Sequence, residues 1–114
     1  MNQGVKTILY PVNNIAREKA LFIKLLGVDP IVDQPYYVGF KVGDQDIGLV
    51  PNGTQQGLTG PVAFYHVSDI KSSLQELLDG GAQIQQQLRD VGGGKLTATV
   101  KDPDGNLIGL IQIP

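Results

Sequence analysis

The sequence predicts an α+β fold made of two βαβββ modules in one 114-residue domain. Two observations carry this. Residues 8–15, ILYPVNNI, align with residues 63–70, AFYHVSDI, so that Tyr10 meets Tyr65, Val12 meets Val67 and Ile15 meets Ile70; later IGLV at 47–50 meets IGLI at 108–111. Such self-similarity is the mark of a repeated supersecondary unit. The chain also carries 15 Gly and 7 Pro, which favours many short elements.

Each module opens with a strand. Residues 6–12 and 61–67 are apolar or β-prone at nearly every position, the pattern of a strand covered on both faces. A helix follows in each. Asn14 can cap the first, Ile15, Lys19, Phe22, Ile23 and Leu26 form one helical stripe, and Gly27 supplies a left-handed exit. Asp69 can cap the second, Ile70, Leu74, Leu77 and Leu78 make its stripe, and Gly80-Gly81 ends it. Three β-prone segments come next in each module: Gly27–Val32, Tyr36–Val42 and Asp46–Val50, then Ala82–Leu88, Lys95–Lys101 and Asn106–Ile113. Asp102-Pro103-Asp104-Gly105-Asn106 is the clearest turn, because Pro sets φ and Gly accepts a positive φ. The modules therefore span 5–50 and 61–114, and 51–60, with little apolar content, reads as the linker. Four strands and one helix cannot cover both sheet faces, so the modules should pair within the chain or across a dimer.

Composition bounds the chemistry. With no Cys and a single His, thiolate nucleophiles, zinc ribbons and iron–sulfur clusters are excluded. Nine basic against eleven acidic residues, scattered along the chain, give no electrostatic footprint for nucleic acid or an anionic membrane. No apolar run approaches the roughly 20 residues that span a bilayer, and MNQGVKTILYPV lacks the order of a signal peptide. The expectation is a soluble, cytoplasmic protein with neither nucleic-acid nor membrane partners.

The duplicated plan, VAFYHVSDI leading into a helix, and the closing DPDGNLIGLIQ resemble the vicinal oxygen chelate superfamily of glyoxalases, bleomycin resistance proteins and dioxygenases. The resemblance implies curved mixed sheets enclosing a cavity, often completed by a second chain in a homodimer. It also implies, for the enzymes, a divalent metal held by four side chains, one from the first strand and one from the last strand of each module. Those positions fall on Thr7, Gly48, Val62 and Gly109, where one neutral hydroxyl is the only donor side chain. No metal and no cofactor are therefore expected, and the metal-dependent chemistries of the family lose their support.

In the same register, Thr7, Leu9, Pro11, Gly48 and Val50 from one module and Val62, Phe64, His66, Gly109 and Ile111 from the other face the cavity. Ile8, Tyr10, Val12, Ala63, Tyr65 and Val67 then point to the helices. The glycines would leave room for a ligand ring close to the backbone. Tyr37 joins the candidate lining from the aromatic cluster Tyr36, Tyr37 and Phe40, of which alternation lets only some face the ligand. His66 is a ligand hydrogen-bond partner, a general base, or an imidazole satisfied by the fold. Arg89–Lys95, with three glycines, lacks phosphate-loop spacing and reads as a hairpin loop; Asp102 and Asp104 read as turn formers.

The reading that follows is a metal-free protein binding a small apolar or aromatic, drug-like compound, as the antibiotic-sequestering members of the family do, and working as a homodimer. The alternative is a glyoxalase-, epimerase- or dioxygenase-like enzyme using His66 or a non-standard metal site. A third is an accessory module whose cavity is filled by its own side chains.

Overall fold

The computed structural model describes residues 2–114, apart from the side chain of Gln56. In chain order the elements are β1 (Asn2–Pro11), α1 (Ile15–Leu26), β2 (Val32–Gln34), β3 (Tyr37–Val42), β4 (Gln45–Val50), a 3-10 turn (Thr54–Gln56), β5 (Val62–Val67), α2 (Ile70–Asp79), β6 (Gln83–Asp90), β7 (Leu96–Lys101) and β8 (Leu107–Gln112). The chain divides into Lys6–Val62 and a second unit of Ala63–Pro114 with residues 2–5. Each half of the chain has the plan βαβββ.

In the first unit the strand order is β2-β3-β4-β1, with β1 and β4 parallel and the other pairs antiparallel. The Asn14 side chain accepts from the Arg17 amide at 3.0 Å, filling one of the orphan donors at the start of α1. Gly27 ends the helix at φ 72°, its amide bonded to the Ile23 carbonyl. Helix and sheet close on Val12, Phe22, Val38, Phe40 and Leu49, with Tyr10, Ile15, Ile23, Leu26 and Ile47 around them. Tyr10 meets Phe22 edge-on at 5.1 Å, and Phe22 stacks on Phe40 at 6.4 Å. Phe40 is thus a core residue.

The strand predicted over Gly27–Val32 lies later, at Val32–Gln34. Gly27 leaves the helix in the left-handed region, Pro30 has no amide to give a ladder, and pairing starts only with the Ile31 amide on the Gly39 carbonyl. Gln34 pairs with Tyr37, so Pro35 and Tyr36 form the connection and Tyr36 stands outside the strand predicted for it. The linker, too, is more than a tether. Gly53 and Leu58 are buried, and the Leu58 amide bonds back to the Gly53 carbonyl.

The second unit repeats the order: β6-β7-β8-β5, with β5 and β8 parallel. Its core is Val67, Ile70, Leu74, Ala98, Val100 and Leu110, with Leu77, Leu78, Leu88 and Ile108 packed against it. Two side chains cap α2. Asp69 accepts from the Ser72 amide at 3.2 Å, and Gln112 Oε1 accepts from the Ile70 amide at 2.8 Å. Gln112 therefore ties the last strand to the first turn of the helix. At β6 the pairing register shifts twice, between Ile84 and Gln86 and between Gln86 and Arg89, as bulged strands do.

Candidate functional site

Strand alternation gives each sheet a helix-side face and, away from the helix, an open face, on which Thr7, Phe64, His66 and Ile111 are nonetheless buried. In the first unit β1 brings Thr7, Leu9 and Pro11 to the open face, and the parallel register sets Leu9 against Gly48 and Pro11 against Val50. β3 adds Tyr37 on the face opposite Val38 and Phe40. The Tyr37 ring lies across both Gly39 and Gly48. A β-carbon on Gly39 would fall 2.9 Å from Tyr37 Cε2, and one on Gly48 would fall 2.8 Å from Tyr37 Cε1 and 2.6 Å from Leu9 Cδ2. The room foreseen over Gly48 for a ligand ring is taken by a ring of the same sheet.

Burial raises the pKa of the Tyr37 phenol above its usual value, and the nearby Asp46 carboxylate adds to the shift. Asp46 is itself 3.2 Å from Lys41 Nζ. At neutral pH Tyr37 is therefore a phenol, able to donate one hydrogen bond and accept another. Thr7 is buried at one margin of this face. Val62, buried, is grouped with the first unit.

In the second unit β5 and β8 set Phe64 opposite Gly109 and His66 opposite Ile111. The arrangement around Gly48 recurs: a β-carbon on Gly109 would fall 2.6 Å from Phe64 Cγ, so the phenyl ring occupies the space that Gly109 leaves. Thr99, paired with Gly109 from the other side, donates its hydroxyl to Gln85 Oε1. His66 is 8% exposed, and neither it nor Thr7 is without an interaction partner. Thus Phe64, His66, Gly109 and Ile111 come together in this unit, and Thr7, Leu9, Pro11, Tyr37, Gly48 and Val50 in the other.

The four positions at which the family's enzymes hold a divalent ion do not fit one here. Thr7 offers a neutral hydroxyl, Val62 an alkyl group, and Gly48 and Gly109 no side chain at all. Among the described residues no three His, Cys, Asp or Glu side chains gather anywhere.

Two other sequence features have structural roles. Asp102 accepts from the amides of Asp104 and Asn106 and from the Asn106 side chain, and the Asn106 bonds hold its carboxyl below the usual carboxylate range. Arg89–Lys95 contains the β6–β7 hairpin connection, closed by the Val91 amide on the Lys95 carbonyl and by Asp90 accepting from Gly92. Missing from the sequence reading is a cleft of about 570 Å³ on the helix side of the second unit, lined by Tyr65, Ser73, Glu76, Leu77 and others. Its one sequence signal is the repeat, which sets Leu77 where the first half has Phe22. No helix among the described residues is long and apolar enough to cross a membrane.

Among curated protein sequences none matches significantly. Solved structures do. A superfamily member from Vibrio splendidus 12B01, described as a glyoxalase/bleomycin resistance protein/dioxygenase, is 19% identical over 98% of each chain, with a TM-score of 0.70. Methylmalonyl-CoA epimerase from Mycobacterium tuberculosis is 16% identical over 99% of this chain and 89% of its own, with a TM-score of 0.72. A Legionella pneumophila structure titled NAD-dependent benzaldehyde dehydrogenase is 18% identical over 95% and 98%, with a TM-score of 0.75. At these identities the likeness is one of fold. The sequence model of the Glyoxalase/Bleomycin resistance protein/Dioxygenase superfamily matches residues 4–110, nearly the whole chain, and the protein, built of two βαβββ modules, belongs to that superfamily.

Proposed function

We propose that this protein binds a small, largely apolar aromatic compound on the open faces of its sheets, without a metal ion, and that it works as a homodimer. The observation that carries the reading is the replacement of the family's metal ligands. Gly48 and Gly109 stand at two of those positions, and the rings of Tyr37 and Phe64 lie on them. In the first unit that face presents half-buried aliphatic carbon from Leu9, Pro11 and Val50, and in the second Phe64 and Ile111 lie buried on theirs, with few polar groups on either. That mixture suits a small-molecule site. Tyr37, kept protonated, supplies a hydrogen bond to orient the ligand, and its ring supplies a stacking surface worth about 0.5–1.5 kcal/mol beyond buried area.

A thermal-shift panel of neutral aromatic compounds tests this, run with chelator and with divalent ions. A ligand present at 100 times its dissociation constant should stabilise the fold by about 2.7 kcal/mol, chelator or not. Tyr37→Phe should weaken that ligand roughly tenfold, the worth of one hydrogen bond. Stabilisation by divalent ions, with no response to any aromatic compound, overturns the reading. Light scattering of the eluting protein should give twice the chain mass, and a monomer at micromolar concentration removes the dimer from it.

A further inference from the structure

The cleft on the helix side of the second unit is a separate feature from the open faces. Its walls are Tyr65 and Val67 of β5, Leu77 of α2, and Ile108 and Leu110 of β8; its rim carries Asp69, Ser72, Ser73 and Glu76. The internal repeat explains why it exists. Offset by 55 residues, Tyr10 corresponds to Tyr65 and Phe22 to Leu77. In the first unit the tyrosine packs edge-on against Phe22, which stacks on Phe40. In the second, Leu77 replaces Phe22, and Val100, the cross-strand partner of Ile108, stands where Phe40 pairs with Ile47. Smaller side chains leave Tyr65 36% exposed. An aromatic body would restore against Tyr65 the contact that Phe22 makes with Tyr10.

The rim states the charge of such a body. Asp69 and Glu76 are acidic, and among the described residues that line the cleft, Asn2 included, none is basic. One Asp69 oxygen is committed to the Ser72 amide, whereas Glu76 is exposed on the next turn of α2. A cation held between a carboxylate and the face of a tyrosine gains from both. The volume, about 570 Å³, is within the range of small-molecule pockets. We propose that this cleft binds a small organic cation with a flat aromatic body, its ammonium toward Glu76 and its ring against Tyr65 and Leu77.

The test uses the intact protein, isotope-labelled, titrated with (2-naphthylmethyl)trimethylammonium, 2-naphthylmethanol and 2-naphthylacetate. The cation should shift the amides of Ser72, Ser73, Glu76 and Leu77 and bind at least fivefold more tightly than the alcohol, with the acetate weaker still. Glu76→Gln, a surface change that spares the fold, should bring the cation down to the alcohol's affinity. Leu77→Phe, which restores the repeat residue, should abolish binding of all three while the melting temperature holds or rises. Equal affinity for cation and acetate, shifts confined to the open faces around Tyr37 and Phe64, or no shifts at millimolar probe each overturn the proposal. Binding at the open faces is read through Tyr37→Phe instead, so either reading can fail alone.

Discussion

A phenol in water ionises near pH 10, and the Tyr37 hydroxyl is held above that by burial and by Asp46. The raised folded value sets the sign: its contribution to stability is fully present below pH 10 and is lost as the pH rises through the folded pKa. In an absorbance titration at high pH we expect Tyr37 to titrate late, and Tyr37→Phe to remove that late step. If the late step survives the substitution, the burial of Tyr37 is misassigned. Gly109 gives a second test at this scale. It sits in an ordinary strand, so the cost of Gly109→Ala comes from the Phe64 ring. Overpacking of this kind costs about 1–3 kcal/mol. In a Phe64→Ala background the same substitution should cost nearly nothing, and an unchanged cost would show that the ring is not what excludes a side chain.

Among the elements, α2 is held by two caps, one local and one long-range. Gln112→Ala removes the acceptor for the Ile70 amide and should cost about 0.5–1.5 kcal/mol in denaturant unfolding. Gln112→Glu should recover it, since a carboxylate suits a helix N-terminus. A Glu variant no better than Ala would mean that packing, not the hydrogen bond, is the role of this side chain. The helices, both N-caps and six of the eight strands were legible within a residue or two because caps, stripes and turns are local chemistry. β2 was not. It is three residues long, exposed throughout, and delayed by Pro30, so apolar content at 27–32 pointed to the wrong segment. The open-face register was legible from alternation alone, and Tyr10, Val12 and Val67 do face their helices. What alternation cannot give is side-chain conformation. The Tyr37 ring could have pointed away from Gly48, and nothing in the spacing says that a glycine is filled by a neighbour rather than left vacant. The cleft escaped for a related reason, since it arises from a difference between two modules and not from a pattern within either.

For the molecule as a whole, duplication has left one strand order in both units and let the side chains diverge. The first unit fills its helix side with Tyr10, Phe22 and Phe40; the second keeps smaller residues there. Both roof the glycine of the last strand with an aromatic ring. That shared replacement is the basis for proposing binding without a metal in this member of the superfamily. The most direct measurement is calorimetric titration of the tightest aromatic ligand from the thermal panel, once in excess chelator and once in saturating manganese or zinc. The account predicts dissociation constants equal within a factor of two. Binding that requires the metal, or tightens tenfold with it, would contradict it.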